Sequence, residues 1–92
     1  MEITSDILIN NGFIRRDKYI NDTEYRYEIY ITNQNCKKYF ISIYDYNSQV
    51  YKWNVIINNG VNYLPIDSKR LSTIEEFNEY IKLLGIYNFI LE

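Results

Sequence analysis

The sequence of 92 residues contains no histidine, no alanine, one cysteine, one proline and three glycines. Without histidine the chain lacks the commonest general base near neutral pH, the Ser-His and Cys-His nucleophile pairs, and the usual ligands of catalytic zinc. A lone Cys36 makes neither an internal disulfide nor a thiolate metal cluster, which fits a reducing cytosol. Long apolar runs are also missing, and Asp6 lies beside Ile7, Leu8 and Ile9, so neither a secretory leader nor a membrane span is expected. Ten basic residues against 12 acidic ones leave a net charge of −2, too balanced for a polycation or a whole-molecule mimic of nucleic acid. The expectation is an intracellular protein that is not an enzyme, with no cofactor and no metal.

What is present is unusual in a different way. The chain has 16 Ile, 12 Asn and 11 Tyr, a bias towards A/T-rich codons. That bias supplies a bland, genomic reading for many of the asparagines and tyrosines. Hydrophobic residues make up 47% and charged residues 24%, and a chain of this length folds as one core that removes roughly 60–65% of its unfolded surface from water. A single domain over residues 1–92 is expected.

Along the chain, residues 4–11 read as a short helix, with Thr4 or Ser5 as N-cap and Gly12 as the left-handed stop; a strand is the competing reading. Strands are then predicted over residues 13–16, 25–32, 39–46, 51–57 and 61–64, the last ended by Pro65. The 25–32 segment alternates cleanly, with Tyr25, Tyr27, Ile29 and Ile31 on one side and Arg26, Glu28, Tyr30 and Thr32 on the other. Residues 21–24, 33–38, 47–49 and Asn58-Asn59-Gly60 read as turns. Ser72-Thr73-Ile74-Glu75 has the spacing of a capping box and opens an amphipathic helix whose apolar stripe is Ile74, Phe77, Ile81 and Leu84, with Tyr80 beside it. Gly85 stops that helix, Ile86 supplies the contact of a Schellman-type cap, and residues 87–91 form an edge strand or a terminal flap. The predicted fold class is α+β: an antiparallel sheet of about five strands, a short N-terminal helix, and an amphipathic C-terminal helix packed on one face.

Candidate binding residues follow from strand parity. Tyr30, Phe40, Tyr44 and Tyr46 fall on the side opposite the Ile-rich face, where they would form an aromatic surface able to stack bases or to anchor a protein partner. The basic residues Arg15, Arg16, Lys18, Arg26, Lys37 and Lys38 all lie in the first half of the chain and could add phosphate contacts, with Arg26, Lys37 and Lys38 the candidates taken with the tyrosines. Against this, the N-terminal helix or a second copy would cover the second face, and Asp17, Asp22, Glu24 and Glu28 are interleaved with the cations, which favours a solvated mixed surface. Glu75, Glu76 and Glu79 at the start of the last helix are read as partners of its macrodipole. No spacing of carboxylates singles out a catalytic residue.

The order Asn11-Gly12-Phe13, Tyr-rich strands, Trp53-Asn54-Val55-Ile56, Ser72-Thr73-Ile74-Glu75-Glu76-Phe77 and Leu83-Leu84-Gly85-Ile86 resembles a small orphan family of phages and mobile elements in A/T-rich Gram-negative bacteria. Similar proteins include anti-CRISPR proteins, among them inhibitors of type VI-B RNA-guided ribonucleases. The matching residues are turn, core and cap positions, so the resemblance transfers no site residues. It implies a cytoplasmic protein of a bacterial host cell that binds a defence nuclease, or the nuclease with its guide RNA, and inhibits it without chemistry. A small module for RNA or single-stranded DNA, and a phage accessory protein that self-assembles as a homodimer, are the alternatives from other classes.

Overall fold

A computed structural model describes residues 1–17, 25–45 and 53–92. Five strands, β1 (Ile14–Asp17), β2 (Tyr25–Thr32), β3 (Lys38–Asp45), β4 (Trp53–Asn59) and β5 (Pro65–Leu71), form one antiparallel sheet in the order β1-β2-β3-β4-β5. Helices α1 (Ser5–Asn10) and α2 (Ile74–Leu83) complete an α+β fold. Each strand pairs with its sequence neighbour, because short polar connections suffice for antiparallel pairing. In the β2–β3 connection Asn33 Oδ1 accepts hydrogen bonds from the backbone N–H groups of Asn35 and Lys37, at 3.0 and 2.9 Å. This side-chain turn replaces a tight two-residue hairpin and puts exposed Cys36 at φ 62°.

Both helices pack on one side of the sheet. Tyr27, Tyr39, Ile41, Ile43, Trp53, Val55, Ile57 and Leu71 supply the sheet's half of the core, and Leu8, Ile74, Phe77, Tyr80 and Ile81 supply the helices' half. Burying a large apolar side chain contributes about 1.5–3 kcal/mol, so these residues dominate the stability. Two polar ties fix α1 and its approach: the Trp53 indole donates to Ile3 O at 3.1 Å, and the Ser5 and Tyr27 hydroxyls share a hydrogen bond of 2.6 Å.

The two helices end alike. Phe13 N–H bonds Leu8 O and Gly12 N–H bonds Ile9 O after α1; Ile86 N–H bonds Ile81 O and Gly85 N–H bonds Lys82 O after α2. Both are Schellman motifs, with Gly12 at φ 96° and Gly85 at φ 83° in the left-handed region that favours glycine. In both, the next residue, Phe13 or Ile86, is turned into the core. Phe13, Phe77 and Phe89 then meet edge to face with centroids 6.1–6.5 Å apart, tying the end of α1 to α2 and to the C-terminal segment.

Three sequence expectations need correction. First, the fifth strand is residues 65–71 rather than 61–64: Pro65 begins it instead of ending its predecessor, which an edge strand tolerates because one row of its N–H groups needs no ladder partner. Asn58 and Asn59 accordingly extend β4, and a register shift lies between Ile57 and Asn58. Second, the capping box is shifted by one residue: Thr73 is the N-cap, its hydroxyl accepts from Glu76 N–H at 3.1 Å, and Glu76 Oε1 accepts from Thr73 N–H at 2.9 Å and Ser72 N–H at 3.2 Å. Third, Phe13 precedes β1 and belongs to the cap of α1. Of the two alternatives for residues 87–91, edge strand or flap, the flap holds. Amide side chains tie this segment down: Asn78 exchanges two hydrogen bonds with the Leu91 backbone (3.0 and 2.8 Å) and Asn11 two with the Glu92 backbone (2.9 and 3.1 Å), while the Asn88 side chain donates to Thr32 O. The turns expected at 21–24 and 47–49 lie outside the described residues.

The hydrogen bond from Ser72 N–H, then those from Thr73, hold the Glu76 carboxyl below its ordinary range. A carboxylate whose folded pKa is depressed adds stability above the unfolded value of about 4.3, and that increment is lost as pH falls through the folded pKa. Glu76→Gln is therefore expected to melt lower than the parent at pH 7 and to show a flatter dependence of Tm on pH between 5 and 3. Thr73→Ala removes the other half of the box and is expected to cost about 1 kcal/mol, or about 4–8 °C in Tm.

Candidate binding surface

Strand parity assigns one face of the sheet to the core and, among the described residues, leaves the other without a helix. Register then arranges the open face into rows. One row runs Arg16, Arg26, Tyr44, Asn54 and Arg70 from β1 to β5, and the next runs Ile14, Glu28, Ser42, Ile56 and Ser68. A third places Tyr30, Phe40, Asn58 and Pro65 in line, and Thr32 and Lys38 close the far end.

The third row carries an aromatic corner. Tyr30 and Phe40 rings lie 4.7 Å apart, Phe40 and Tyr63 5.4 Å apart at 88°, and Tyr30 and Tyr63 6.4 Å apart at 70°. Edge-to-face contacts of this kind match the positive ring edge to the negative ring face. Tyr63 arrives from the β4–β5 connection rather than from a strand. Asn59 Oδ1 accepts from Val61 N–H, Asn59 O accepts from Tyr63 N–H, and Asn59 N–H donates to Leu64 O, each at 2.8 Å. That closed loop puts Tyr63 at φ 59°, and its hydroxyl is hydrogen-bonded to that of Tyr30. Tyr30 is 58% and Tyr63 54% exposed, and Val61, Leu64 and Ile66 extend the exposed apolar corner towards β5.

At the other end the charges are ordered. Glu28 pairs with both neighbours in the arginine row, its two oxygens lying 3.5 Å from Arg16 Nε and 2.9 Å from Arg26 Nε. One carboxylate thereby holds two guanidinium groups close together against their mutual repulsion. Among the described residues the face carries the cations Arg16, Arg26, Arg70 and Lys38 and the anion Glu28, while the entire chain carries −2.

Of the residues singled out in the sequence, Tyr30, Phe40, Tyr44, Arg26 and Lys38 share this face. Tyr44 sits between Arg26 and Asn54, half-buried. Lys37 does not join them: it lies in the β2–β3 connection, with Nζ 5.5 Å from the ring centroid of Tyr39, a core-side residue. Tyr46 lies outside the described residues. Sequence reasoning missed Tyr63 and Arg70 as site residues, and counted Arg16 only among the basic residues of the first half. For Tyr63 a usable signal existed, since an Asn-rich stretch before Leu64-Pro65 reads as a loop that can place a tyrosine off the strand register. Only pairing sets Arg16 beside Arg26 and brings Arg70, three strands away, into the same row.

Among the described residues no group of three Cys, Asp or Glu side chains is placed to hold a metal ion, and no helix is long and apolar enough to cross a membrane. No family model, curated protein sequence or solved structure gives a significant match to the chain.

The shared hydrogen bond with Tyr63, with desolvation second, raises the Tyr30 phenol above its ordinary pKa of 10.0. A raised folded pKa means that the associated stability is present below the unfolded value and is lost as pH rises through the folded one. Followed through its ring carbon Cζ by NMR, Tyr30 is expected to titrate above 10, and Tyr63→Phe to bring its midpoint back down.

Proposed function

We propose that this chain is a stoichiometric, non-enzymatic inhibitor of an RNA-guided host nuclease, and that it holds the nuclease or its guide-RNA complex with the open face of the sheet. The observation that carries the reading is the combination on one uncovered face of an exposed aromatic corner, Tyr30, Phe40 and Tyr63, with the cations Arg16, Arg26, Lys38 and Arg70. Tyrosine and arginine are the residues that concentrate binding energy at interfaces. The class of partner comes from the resemblance to phage and mobile-element proteins that include inhibitors of such nucleases. Action of this kind needs a complementary surface and no reacting group.

Size supports the assignment of a whole face. A standard interface covers about 800 Å² per partner, roughly one seventh of the chain's accessible surface of 5946 Å². A homodimer built face to face, the self-assembly alternative, sets the described cations Arg16, Arg26, Lys38 and Arg70 against the same set, which opposes closure.

Affinity capture with tagged protein, from host-type lysate expressing an RNA-guided nuclease and its guide, tests the proposal with and without ribonuclease. The nuclease is expected in the eluate near one-to-one stoichiometry. Tyr30→Ser with Tyr63→Ser is expected to abolish capture while keeping the fold, since an exposed aromatic pair is worth only about 0.5–1.5 kcal/mol. Undiminished capture by that variant, or elution of RNA alone, would overturn the proposal.

A further inference from the structure

The arginine row gives the face a more particular chemistry. Strands lie about 4.8 Å apart, so the line from Arg16 on β1 through Arg26, Tyr44 and Asn54 to Arg70 on β5 crosses about 19 Å of sheet. The aromatic corner stands four residues further along β2, at Tyr30, or about 14 Å from Arg26. Cations and aromatic rings are thus set apart on one flat surface, with Glu28 between them pairing Arg16 and Arg26.

On the reading that this open face is the working surface, we propose that it binds single-stranded nucleic acid, with phosphates along the arginine row and unstacked bases against the Tyr30–Phe40–Tyr63 corner. A guanidinium has five N–H donors in a planar fork that matches phosphate oxygens, so a partner within the chain does not exhaust Arg16, Arg26 or Arg70. The exposed rings of Tyr30 and Tyr63 offer π-surface to bases of any identity. A duplex uses the first feature and wastes the second, because its bases are already stacked, and both helices, the elements that enter a major groove, lie on the opposite side of the sheet. A second copy of the chain is opposed by like charge. An acidic protein surface would satisfy the arginines and use the tyrosines only as apolar contacts, whereas a single strand uses both.

Fluorescence anisotropy of the purified chain with labelled 15-nucleotide oligouridine and oligothymidine tests this directly. Neutralising three phosphates predicts a slope of log affinity against log salt of about −2, hence affinity about 15–20-fold weaker at 200 mM than at 50 mM salt. Arg16→Gln and Arg70→Gln are each expected to flatten that slope by about 0.7. Lys82→Gln removes the same charge from the exposed side of α2 and is expected to leave the slope unchanged. Tyr30→Ser is expected to weaken binding about ten-fold with its thermal melt retained. Failure to bind either oligonucleotide at 50 mM salt, or equal loss from Lys82→Gln and the arginine variants, would overturn the inference. Capture of RNA-stripped nuclease by a chain that binds neither oligonucleotide would show a protein-docking face, overturning this inference while the inhibitor reading stands; oligonucleotide binding without nuclease capture would do the reverse.

Discussion

The structure depends on one imbalance between layers: five strands have two faces, and helices of six and ten residues cover only one of them. Hydrophobic burial therefore acts on a single side of each strand. Ile41, Ile43, Val55 and Ile57 are fully buried, whereas their neighbours Phe40, Tyr44, Asn54 and Ile56 are only partly so. Because the side-chain period is two, a slip of one residue in any strand would exchange these sets, exposing four aliphatic chains and burying polar ones. The register that secures the core is the same register that aligns Arg16, Arg26 and Arg70.

Asparagine does much of what regular structure leaves undone. Asn33 closes the β2–β3 connection, Asn59 the β4–β5 connection, and Asn11 and Asn78 each exchange a pair of hydrogen bonds with the C-terminal backbone. A side-chain amide has a donor and an acceptor in nearly the geometry of a peptide unit, so it can stand in for a missing strand partner. This is why residues 87–91 settle over the core without joining the sheet, with Leu91 buried against it. The hydrogen bonds explain why these positions use asparagine.

Much of the architecture was legible because local signals agreed. The alternation in β2, the two glycine stops and the apolar stripe of α2 each have a mechanism that acts within a few residues. The fifth strand was misread for a physical reason: an edge strand buries little, and in β5 only Leu71 is buried, so hydrophobic alternation is absent and Pro65 became the strongest local signal. The cap of α2 moved by one residue because Ser72-Thr73 and Glu75-Glu76 offer two boxes of the same spacing, and only tertiary placement chooses Thr73 with Glu76. At the candidate site, parity was enough to group Tyr30, Phe40 and Tyr44. Tyr63 needed a left-handed loop residue, and the arginine row needed the correct fifth strand.

Charge shows the same limit. Along the chain the cations of the first half alternate with acids, which reads as a neutral, solvated surface. Pairing separates them: among the described residues Arg16, Arg26, Lys38 and Arg70 share the open face with one carboxylate, Glu28, while Glu75 and Glu79 stand exposed on α2 in the other layer. A net charge of −2 thus describes neither face. An anionic partner meets the local field within a Debye length of about 8–10 Å, a distance shorter than the sheet and helix layers together, so the sign it responds to is that of the face and not that of the molecule. Glu28 fits this arrangement as well, because by pairing with Arg16 and Arg26 it keeps two cations in place before any partner arrives, and groups already ordered lose less entropy on binding.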